Sequence, residues 1–263
     1  MILESIGGAT HGFVRQTREM TSLFCQTVYW IVVGPFRKKP ISRKGFFSHT
    51  IFSGVDSLVI VFFVDFFIGM VLAMQSAYQL RQLGGEIYVA ALVGVSMTRE
   101  IGPVLTSLVI AGRVGAAITA ELATMKVTEQ VEALETISLN PVRYLVVPRF
   151  LALVLMLPCL VIVGNLIGML GGWVIGVTQL GLNSGLYVDT TIDFLTNKDI
   201  LTGLLKTAVF AMIIAMVASY EGLSTDGGAE GVGRSTTRSV VTSFISIIIA
   251  DAILTSIFYF ANT

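Results

Sequence analysis

The sequence predicts an all-α, polytopic membrane protein, and three observations support that fold class. Charged residues occupy only 13% of the 263 positions, whereas a soluble domain usually carries about 25%. Apolar residues make up 54% of the chain, and the mean hydropathy is +0.82. Several segments are long enough to cross a bilayer, which takes about 20 mostly apolar residues. The five predicted spans cover approximately residues 51–80, 88–120, 143–178, 200–221 and 237–260.

The segment before the first span, residues 10–33, predicts an amphipathic helix that lies on the membrane surface. Its apolar residues recur at helical spacing, and its polar residues take the opposite face. Tyr29 and Trp30 suit the headgroup region, and Gly34-Pro35 is expected to end the helix. A soluble helix packed against the rest of the chain is the alternative. The apolar face comprises Phe13, Thr17, Met20, Phe24, Val28 and Ile31.

Basic residues between the spans indicate the orientation of the chain. Residues 1–44 are predicted to form the surface helix and a basic cytoplasmic linker, and residues 45–263 form the spanning domain. Because basic residues accumulate in cytoplasmic loops, we expect the N-terminus inside and the C-terminus outside. Only Arg81 and Lys198 fall on the outer side. The basic residues on the inner side are Arg37, Lys38, Lys39, Arg43, Lys44, Lys126, Arg143, Arg234 and Arg238.

A short acidic helix is predicted between the second and third spans, over residues 124–139. On a helical wheel its apolar and acidic residues separate onto opposite sides. Asn140 and Pro141 end it, and they also suit the cap and first residue of the third span. The helix either stabilises the loop through its own apolar face or presents its acids to a soluble partner. Repulsion between those acids in isolation favours a partner. The apolar side holds Val127, Val131, Leu134 and Ile137, and the acidic side holds Thr128, Glu129, Glu132 and Thr136, with Lys126 and Glu135 at its margins.

Charged residues inside the second span are the most informative ones in the membrane. Arg99 and Arg113 lie about 21 Å apart on a helix, so at least one falls within a hydrocarbon core about 30 Å thick. Such charges face protein or a water-filled cavity. Arg99 and Glu100 are adjacent and cannot pair with each other on one helix. Each therefore needs a partner elsewhere, and Asp65 in the first span is the candidate for Arg99. Pro103 removes the amide that would bond the Arg99 carbonyl, which predicts a bent helix.

Small residues predict close helix packing in two of the spans. This pattern indicates a packed bundle, and it points only weakly to a homodimer. The small residues are Gly164, Gly168, Gly172 and Gly176 in the third span and Ala111, Gly115 and Thr119 in the second.

The sequence carries no motif for catalysis, metal binding or nucleic-acid binding. A phosphate loop of the form G-x-x-x-x-G-K-[ST] is missing, and the glycine-rich DGGAEGVGR lacks the lysine. His11 and His49 are the only histidines, too few for a metal cluster or a histidine-based catalytic site. The formal net charge is zero. We expect no catalytic residue, metal or cofactor in this chain, and an energy source in another subunit.

Three motifs, in the expected order, resemble the permeases of the MlaE family. They are REIGPV at 99–104, AGRVGAAITAELATMKVTEQVEALETISLNPVRYLVVPR at 111–149 and GVGRSTTRSVV at 231–241, within a resemblance over residues 45–262. Members of this family are membrane subunits of bacterial ABC transporters that move phospholipids between membranes, with relatives in the chloroplast envelope. The resemblance implies a multi-pass permease in a Gram-negative inner membrane, with a periplasmic C-terminus and a role in outer-membrane lipid asymmetry.

The resemblance also implies partners. In this family the segment between spans two and three is a coupling helix, seated in a groove of the cytoplasmic ATPase that binds ATP and magnesium. A second copy of the chain, a periplasmic MCE-domain lipid-binding subunit and a small cytoplasmic accessory subunit would complete the assembly. The residues implied to dock on the ATPase are Lys126, Val127, Glu129, Val131, Glu132, Leu134 and Glu135.

A lipid cavity is implied near Arg99 and Glu100, where the charges would form a polar collar around a headgroup above apolar walls. A static ion pair within the bundle is the alternative role for these charges. Arg234 and Arg238, in the predicted cytoplasmic loop, would hold an anion at a helix N-terminus or simply cap and anchor the fifth span. The implied substrate-binding residues are Leu72, Gln79, Leu80, Leu83, Arg99, Glu100 and Ile101.

Other classes of function are compatible with parts of the sequence. An ion- or proton-coupled secondary transporter would use Asp65, Arg99, Glu100 and Asp251 as a relay. A membrane scaffold need not tolerate such charges, and an intramembrane enzyme lacks a catalytic constellation. Co-purification of an ATPase would distinguish the permease from the secondary transporter.

Overall fold

The computed structural model describes the backbone of residues 2–34 and 43–260 and the side chains of 17–34 and 45–258. Within these ranges the regular structure is helical, and five helices are long and apolar enough to cross a membrane, which confirms the predicted fold class. Each is somewhat longer than predicted. The candidate spans are Gly45–Arg81, Tyr88–Val127, Val142–Thr178, Asn197–Leu223 and Gly228–Phe258.

Several of the candidate spans consist of more than one helical segment. Two of the spans contain π-helical turns, and the first span is interrupted. The helices are α1 (Ile2–Val33), α2 (Arg43–Ser53), α3 (Leu58–Arg81), α4 (Tyr88–Ser96), α5 (Gly102–Ile110), α6 (Ala116–Val127), α7 (Gln130–Thr136), α8 (Val147–Thr178), α9 (Ser184–Phe194), α10 (Asn197–Leu223) and α11 (Gly228–Phe260).

The chain forms two compact units, each assembled from several stretches of sequence. Unit 1 comprises Met1–His49, Gly115–Ala152 and Ile214–Ser243. Unit 2 comprises Thr50–Val114, Leu153–Ile213 and Phe244–Thr263. Each unit is therefore built by residues that are distant in sequence.

Helix α1 in unit 1 confirms the predicted N-terminal helix and extends it toward the N-terminus. It is held to the start of the third span by two ring contacts. Phe24 lies edge-on to Phe150, with centroids 6.3 Å apart, and the Arg143 guanidinium lies 5.6 Å from the Trp30 ring centroid. Its position on a membrane surface stays a prediction.

The predicted basic linker falls mostly outside the described residues. Outside the described residues lie Pro35, Arg37, Lys38 and Lys39, together with the side chains of Arg43 and Lys44 and that of His11 in the N-terminal helix.

The first span is interrupted between α2 and α3, where Gly54 and a 3₁₀ turn at Val55–Ser57 separate the two helices. The interruption leaves backbone carbonyls without helical partners. Arg113 replaces one of the missing hydrogen-bond donors, because its Nη1 donates to the Phe52 carbonyl (3.1 Å) and to Ser57 Oγ (2.6 Å). The span predicted over residues 51–80 is confirmed as a candidate span, and the structure adds a break in its helix near the start. The intramembrane arginine at 113 stabilises the break.

The second span contains two π-helical turns, at Met97–Ile101 and Ala111–Gly115. The first of them immediately precedes Pro103, whose missing amide cannot bond the Arg99 carbonyl. A π-bulge lies where the sequence predicts a bent helix, and the bend itself stays a prediction. Such bulges rotate the side chains that follow and are frequent at functional sites.

Unit 2 is packed through the predicted glycine repeat of α8. A Cβ atom added to Gly69 on α3 would collide with the Gly168 carbonyl, and one added to Gly172 or Gly176 would collide with side chains, including Tyr187 on α9. Small residues thus let these helix backbones approach closely, as predicted.

Candidate functional site

Arg99 pairs with Asp199 at the start of α10, within unit 2. Arg99 Nε lies 2.5 Å from Asp199 Oδ1. The prediction that Asp65 partners Arg99 is wrong. Asp65 is fully buried and accepts a hydrogen bond from Thr106 Oγ1 at Oδ2 (3.0 Å), while its Oδ1 has no hydrogen-bond partner among the described residues.

Glu100 pairs with Lys206, one of the largest fully buried side chains in the described part of the chain. Lys206 Nζ lies 2.5 Å from Glu100 Oε2, 2.6 Å from Thr255 Oγ1 and 2.9 Å from Asp251 Oδ1. The Asp251 contact is an ion pair without hydrogen-bond geometry, since Oδ1 has no hydrogen-bond partner. One buried ammonium therefore holds together carboxylates from the second and fifth spans.

An open apolar groove of about 400 Å³ lies beside Glu100, between α3 and the second span. Its polar lining residues are Gln75 and Glu100. The hydrogen bond between Asp65 and Thr106 shows where these two antiparallel helices lie side by side. From that point, Gln75 and Glu100 both lie in the direction of the Arg81–Tyr88 connection. The groove is therefore polar at the end nearer that connection. Its lining comprises Ile68, Val71, Leu72, Gln75, Glu100, Ile101, Val104 and Leu105.

The groove brings together only part of the predicted substrate-binding set. Leu72, Glu100 and Ile101 line it, whereas the other four predicted residues do not. Arg99 turns to Asp199 instead. Gln79 is exposed, and Leu83, beyond the end of α3, is 81% exposed. The fourth, Leu80, packs against the core cluster around Ala77 and Val89.

The acidic segment in unit 1 is a broken helix rather than the single helix predicted over 124–139. Helix α6 ends at Val127, and α7 covers only Gln130–Thr136. The break falls at Glu129, whose φ of 58° is left-handed, and Ser138 is also left-handed at 61°. Residues other than glycine and asparagine rarely adopt this backbone conformation, so the sequence does not signal the break.

The apolar side of the acidic segment is correspondingly split. Val131 is buried and Leu134 half-buried, but Val127 is exposed and Ile137 is 65% exposed. The segment therefore leaves apolar side chains outside the unit's own core.

The acidic side chains of this segment are also not equivalent. The Lys126 ammonium donates to Glu132 Oε1, and this hydrogen bond holds the pKa of Glu132 below its usual value. Glu129 and Glu135 are exposed. At the other end, Asn140 Oδ1 accepts from the Arg143 amide (3.1 Å), which confirms the predicted cap of the third span.

Arg234 and Arg238 lie within α11, not in a loop before it, which corrects their predicted position. Arg238 Nε lies 3.3 Å from Glu221 Oε1 at the end of α10. This ion pair agrees with the anchoring role of Arg238. Arg234 is exposed.

Four buried charged residues of the described part of the chain are missing from the predicted sites: Arg149, Asp199, Lys206 and Glu221. Arg149 Nη2 lies 2.7 Å from Glu121 Oε1 in unit 1. A charge inside a predicted span is a signal in itself. By that criterion the sequence indicates Arg149 and Lys206 as functional or structural charges within predicted spans, but it does not indicate which residues they contact.

Comparisons with known proteins agree on one family. The family model described as Permease MlaE matches residues 46–257. A probable ABC transporter permease protein of Rickettsia prowazekii is 43% identical over 230 residues, which cover 88% of this chain and 89% of the relative. The intermembrane phospholipid transport system permease protein MlaE of Haemophilus influenzae is 38% identical over 210 residues, 80% of either chain. The chloroplastic protein TRIGALACTOSYLDIACYLGLYCEROL 1 of Arabidopsis thaliana is 35% identical over 207 residues, 79% of this chain and 59% of the relative.

Proposed function

The chain belongs to the MlaE permease family, and from that premise we propose that it is the membrane-spanning subunit of an ATP-driven transporter that moves phospholipids between two membranes. The name of the Haemophilus influenzae relative supports phospholipid as the cargo. The observation that carries the proposal is the groove beside Glu100, which is apolar along its length and polar at one end.

The groove suits an amphiphile because its two parts offer different chemistry. Six apolar side chains provide a wall for an acyl chain, and burying apolar surface contributes about 25 cal/mol per Å². Gln75 and Glu100 provide polar groups at one end. The Glu100 side chain is 41% exposed, and Lys206 reaches its carboxylate from the protein side. A lipid headgroup can therefore meet the carboxylate without displacing the lysine.

Filling the groove tests this function. We expect Val104→Trp to leave expression intact and to lower co-purifying phospholipid and lipid transfer severalfold, because the indole occupies space that an acyl chain would need. Leu155→Trp is the matched control, since Leu155 is exposed elsewhere in unit 2. The measurement is lipid quantitation by mass spectrometry together with transfer between labelled vesicles. Unchanged lipid content in a well-folded Val104→Trp protein would refute the groove as the binding site.

The energy for transport is proposed to come from a separate ATPase, because this chain contains no phosphate-binding loop. We assign ATP and magnesium to that ATPase and no cofactor or catalytic residue to this chain. A second copy of the chain and the periplasmic MCE-domain and small cytoplasmic subunits are proposed as further partners. The proposed location is the inner membrane, with the N-terminus cytoplasmic and the C-terminus periplasmic, in line with the uneven basic residues.

The broken acidic segment is proposed as the ATPase-docking element. Val127 and Ile137 expose apolar surface there, and Glu129 and Glu135 are exposed acids outside the Lys126–Glu132 pair. Exposed apolar residues beside charges are typical of a binding surface.

Reversing the exposed acids should weaken docking. We expect Glu129→Lys with Glu135→Lys to insert normally but to retain roughly tenfold less ATPase on co-purification, since each lysine replaces an acid that is proposed to meet basic groups on the partner. The matched control is Asp189→Lys with Asp193→Lys, which reverses two exposed acids on α9, outside the acidic segment, and should retain the ATPase normally. Normal ATPase retention by the first double variant would contradict the docking role. Transport without any ATPase would instead favour an ion-coupled transporter.

A further inference from the structure

We propose that unit 1 contains a second lipid site, a groove between α1 and the end of α10 that takes the zwitterionic headgroup of a bilayer phospholipid, a phosphodiester that also carries an ammonium group. This site is separate from the transport groove of unit 2 and goes beyond the proposed function. The groove has a volume of about 330 Å³, at the low end of the usual range for small-molecule sites. It is lined by Arg18, Glu19, Ser22, Leu23, Gln26, Tyr220, Leu223 and Ser224.

The position of the groove indicates a ligand from the membrane. Its α10 residues lie at the end of an apolar candidate span, where chain and bilayer both pass from apolar to polar surroundings. Helix α1 exposes Phe24, Val28 and Val32, apolar side chains of the kind that enter the acyl region. A helix that inserts these side chains holds its polar face at headgroup depth.

The lining of the groove carries one cation and one carboxylate at adjacent positions. Arg18 forms no ion pair with the described side chains, and its planar guanidinium can donate two parallel hydrogen bonds to a phosphate. The Glu19 carboxylate is oriented by the Tyr220 hydroxyl, which donates to Oε2 (3.0 Å). A carboxylate accepts several hydrogen bonds, so Glu19 can also receive an ammonium group.

The remaining lining residues fit the linker of such a headgroup. Gln26 Nε2 lies 3.4 Å from Ser22 Oγ, and Ser224 adds a second hydroxyl. Leu23 and Leu223 provide the apolar part of the lining. Because both Arg18 and Glu19 line the groove, a purely anionic headgroup would gain the arginine contact but meet repulsion from the carboxylate. A zwitterionic headgroup offers a phosphate to Arg18 and an ammonium group to Glu19.

The test measures lipids retained by the full-length chain in native mass spectrometry. The Val104→Trp background keeps the transport groove filled, so the remaining lipid reports on unit 1 and not on the proposed function. The protein is released from nanodiscs containing phosphatidylethanolamine or phosphatidylglycerol. We expect Arg18→Ala to lower retention of both lipids about tenfold, as for loss of one charged hydrogen-bonded contact. Glu19→Gln should lower phosphatidylethanolamine about tenfold and leave phosphatidylglycerol unchanged or raised.

Arg81→Ala is the control, because Arg81 is an exposed arginine that lines neither groove. Full retention by Arg18→Ala, or equal loss of both lipids in Glu19→Gln, would overturn the proposal. A third arm adds glycerophosphoethanolamine, the free headgroup. We expect it to compete at least a hundredfold more weakly than the lipid, because it lacks the acyl chains that hold the lipid in the bilayer. Equal competition would overturn the membrane source of the ligand.

Discussion

Lys206→Met is expected to cost unit 2 about 3 kcal/mol or more, because it leaves Glu100 and Asp251 without their shared cation. Lys206 is only 2% exposed, so its ammonium group has lost its hydration and depends on these carboxylates instead. Removing one member of a buried pair typically costs about 3–5 kcal/mol. Because Glu100 is partly exposed and water can solvate its charge, we expect a loss of stability at the lower end of that range.

A neutral replacement of the whole cluster separates structural from transport effects. We expect Lys206→Met with Glu100→Gln and Asp251→Asn to recover thermal stability, because no uncompensated charge remains in the apolar interior. It should still bind less phospholipid, since the groove has lost its charged end. Arg81→Met is the control, because Arg81 forms an exposed ion pair with Glu86 in the same unit and such pairs contribute about 1 kcal/mol or less. Stability is measured by thermal unfolding in detergent. A single Lys206→Met variant as stable as Arg81→Met would disprove the burial argument.

The elements predicted well are those with a local cause. The number of spans follows from apolar segments of sufficient length, and Asn140-Pro141 specifies the start of the third span within a few residues. Pro103 marks the irregular turn at Arg99, because a proline removes a specific backbone hydrogen bond. In each case the physical cause lies within a few residues of the feature.

The ion pairs were not predictable in the same way. Arg99 and Asp199 are 100 positions apart, and matching depth in the membrane does not specify which side of a helix faces which neighbour. The π-turn at Met97–Ile101 changes that rotation further. Depth alone therefore favoured Asp65, whereas the structure pairs Arg99 with the first turn of α10. The break at Glu129 was missed because it depends on a backbone conformation that glutamate seldom adopts.

Asp199 has two structural roles, whereas Arg99 has one. Asp199 Oδ1 receives Arg99, and Oδ2 accepts from the Thr196 amide (3.0 Å) and the Thr196 hydroxyl (2.8 Å). The Asp199 amide in turn donates to the Thr196 carbonyl (3.0 Å). Asp199 thus supplies one half of a capping box at the N-terminus of α10, because its carboxylate accepts from the Thr196 amide, while the Thr196 hydroxyl donates to the same carboxylate. The Arg99 side chain is 53% exposed, so water can solvate it when its partner is lost.

The two ends of this ion pair should therefore respond unequally. We expect Asp199→Ala to destabilise unit 2 by about 2 kcal/mol, from a lost cap of about 1 kcal/mol and a lost charged hydrogen bond of similar size. Arg99→Ala should cost less than about 1 kcal/mol, and Asp199→Asn should fall between them because its amide oxygen still accepts a hydrogen bond. The charge exchange Arg99→Asp with Asp199→Arg should not recover stability, since an arginine cannot accept from the Thr196 amide. Thermal unfolding of these four proteins measures the order. Full recovery by the exchanged pair would show that the ion pair, and not the cap, determines the stability of this helix start.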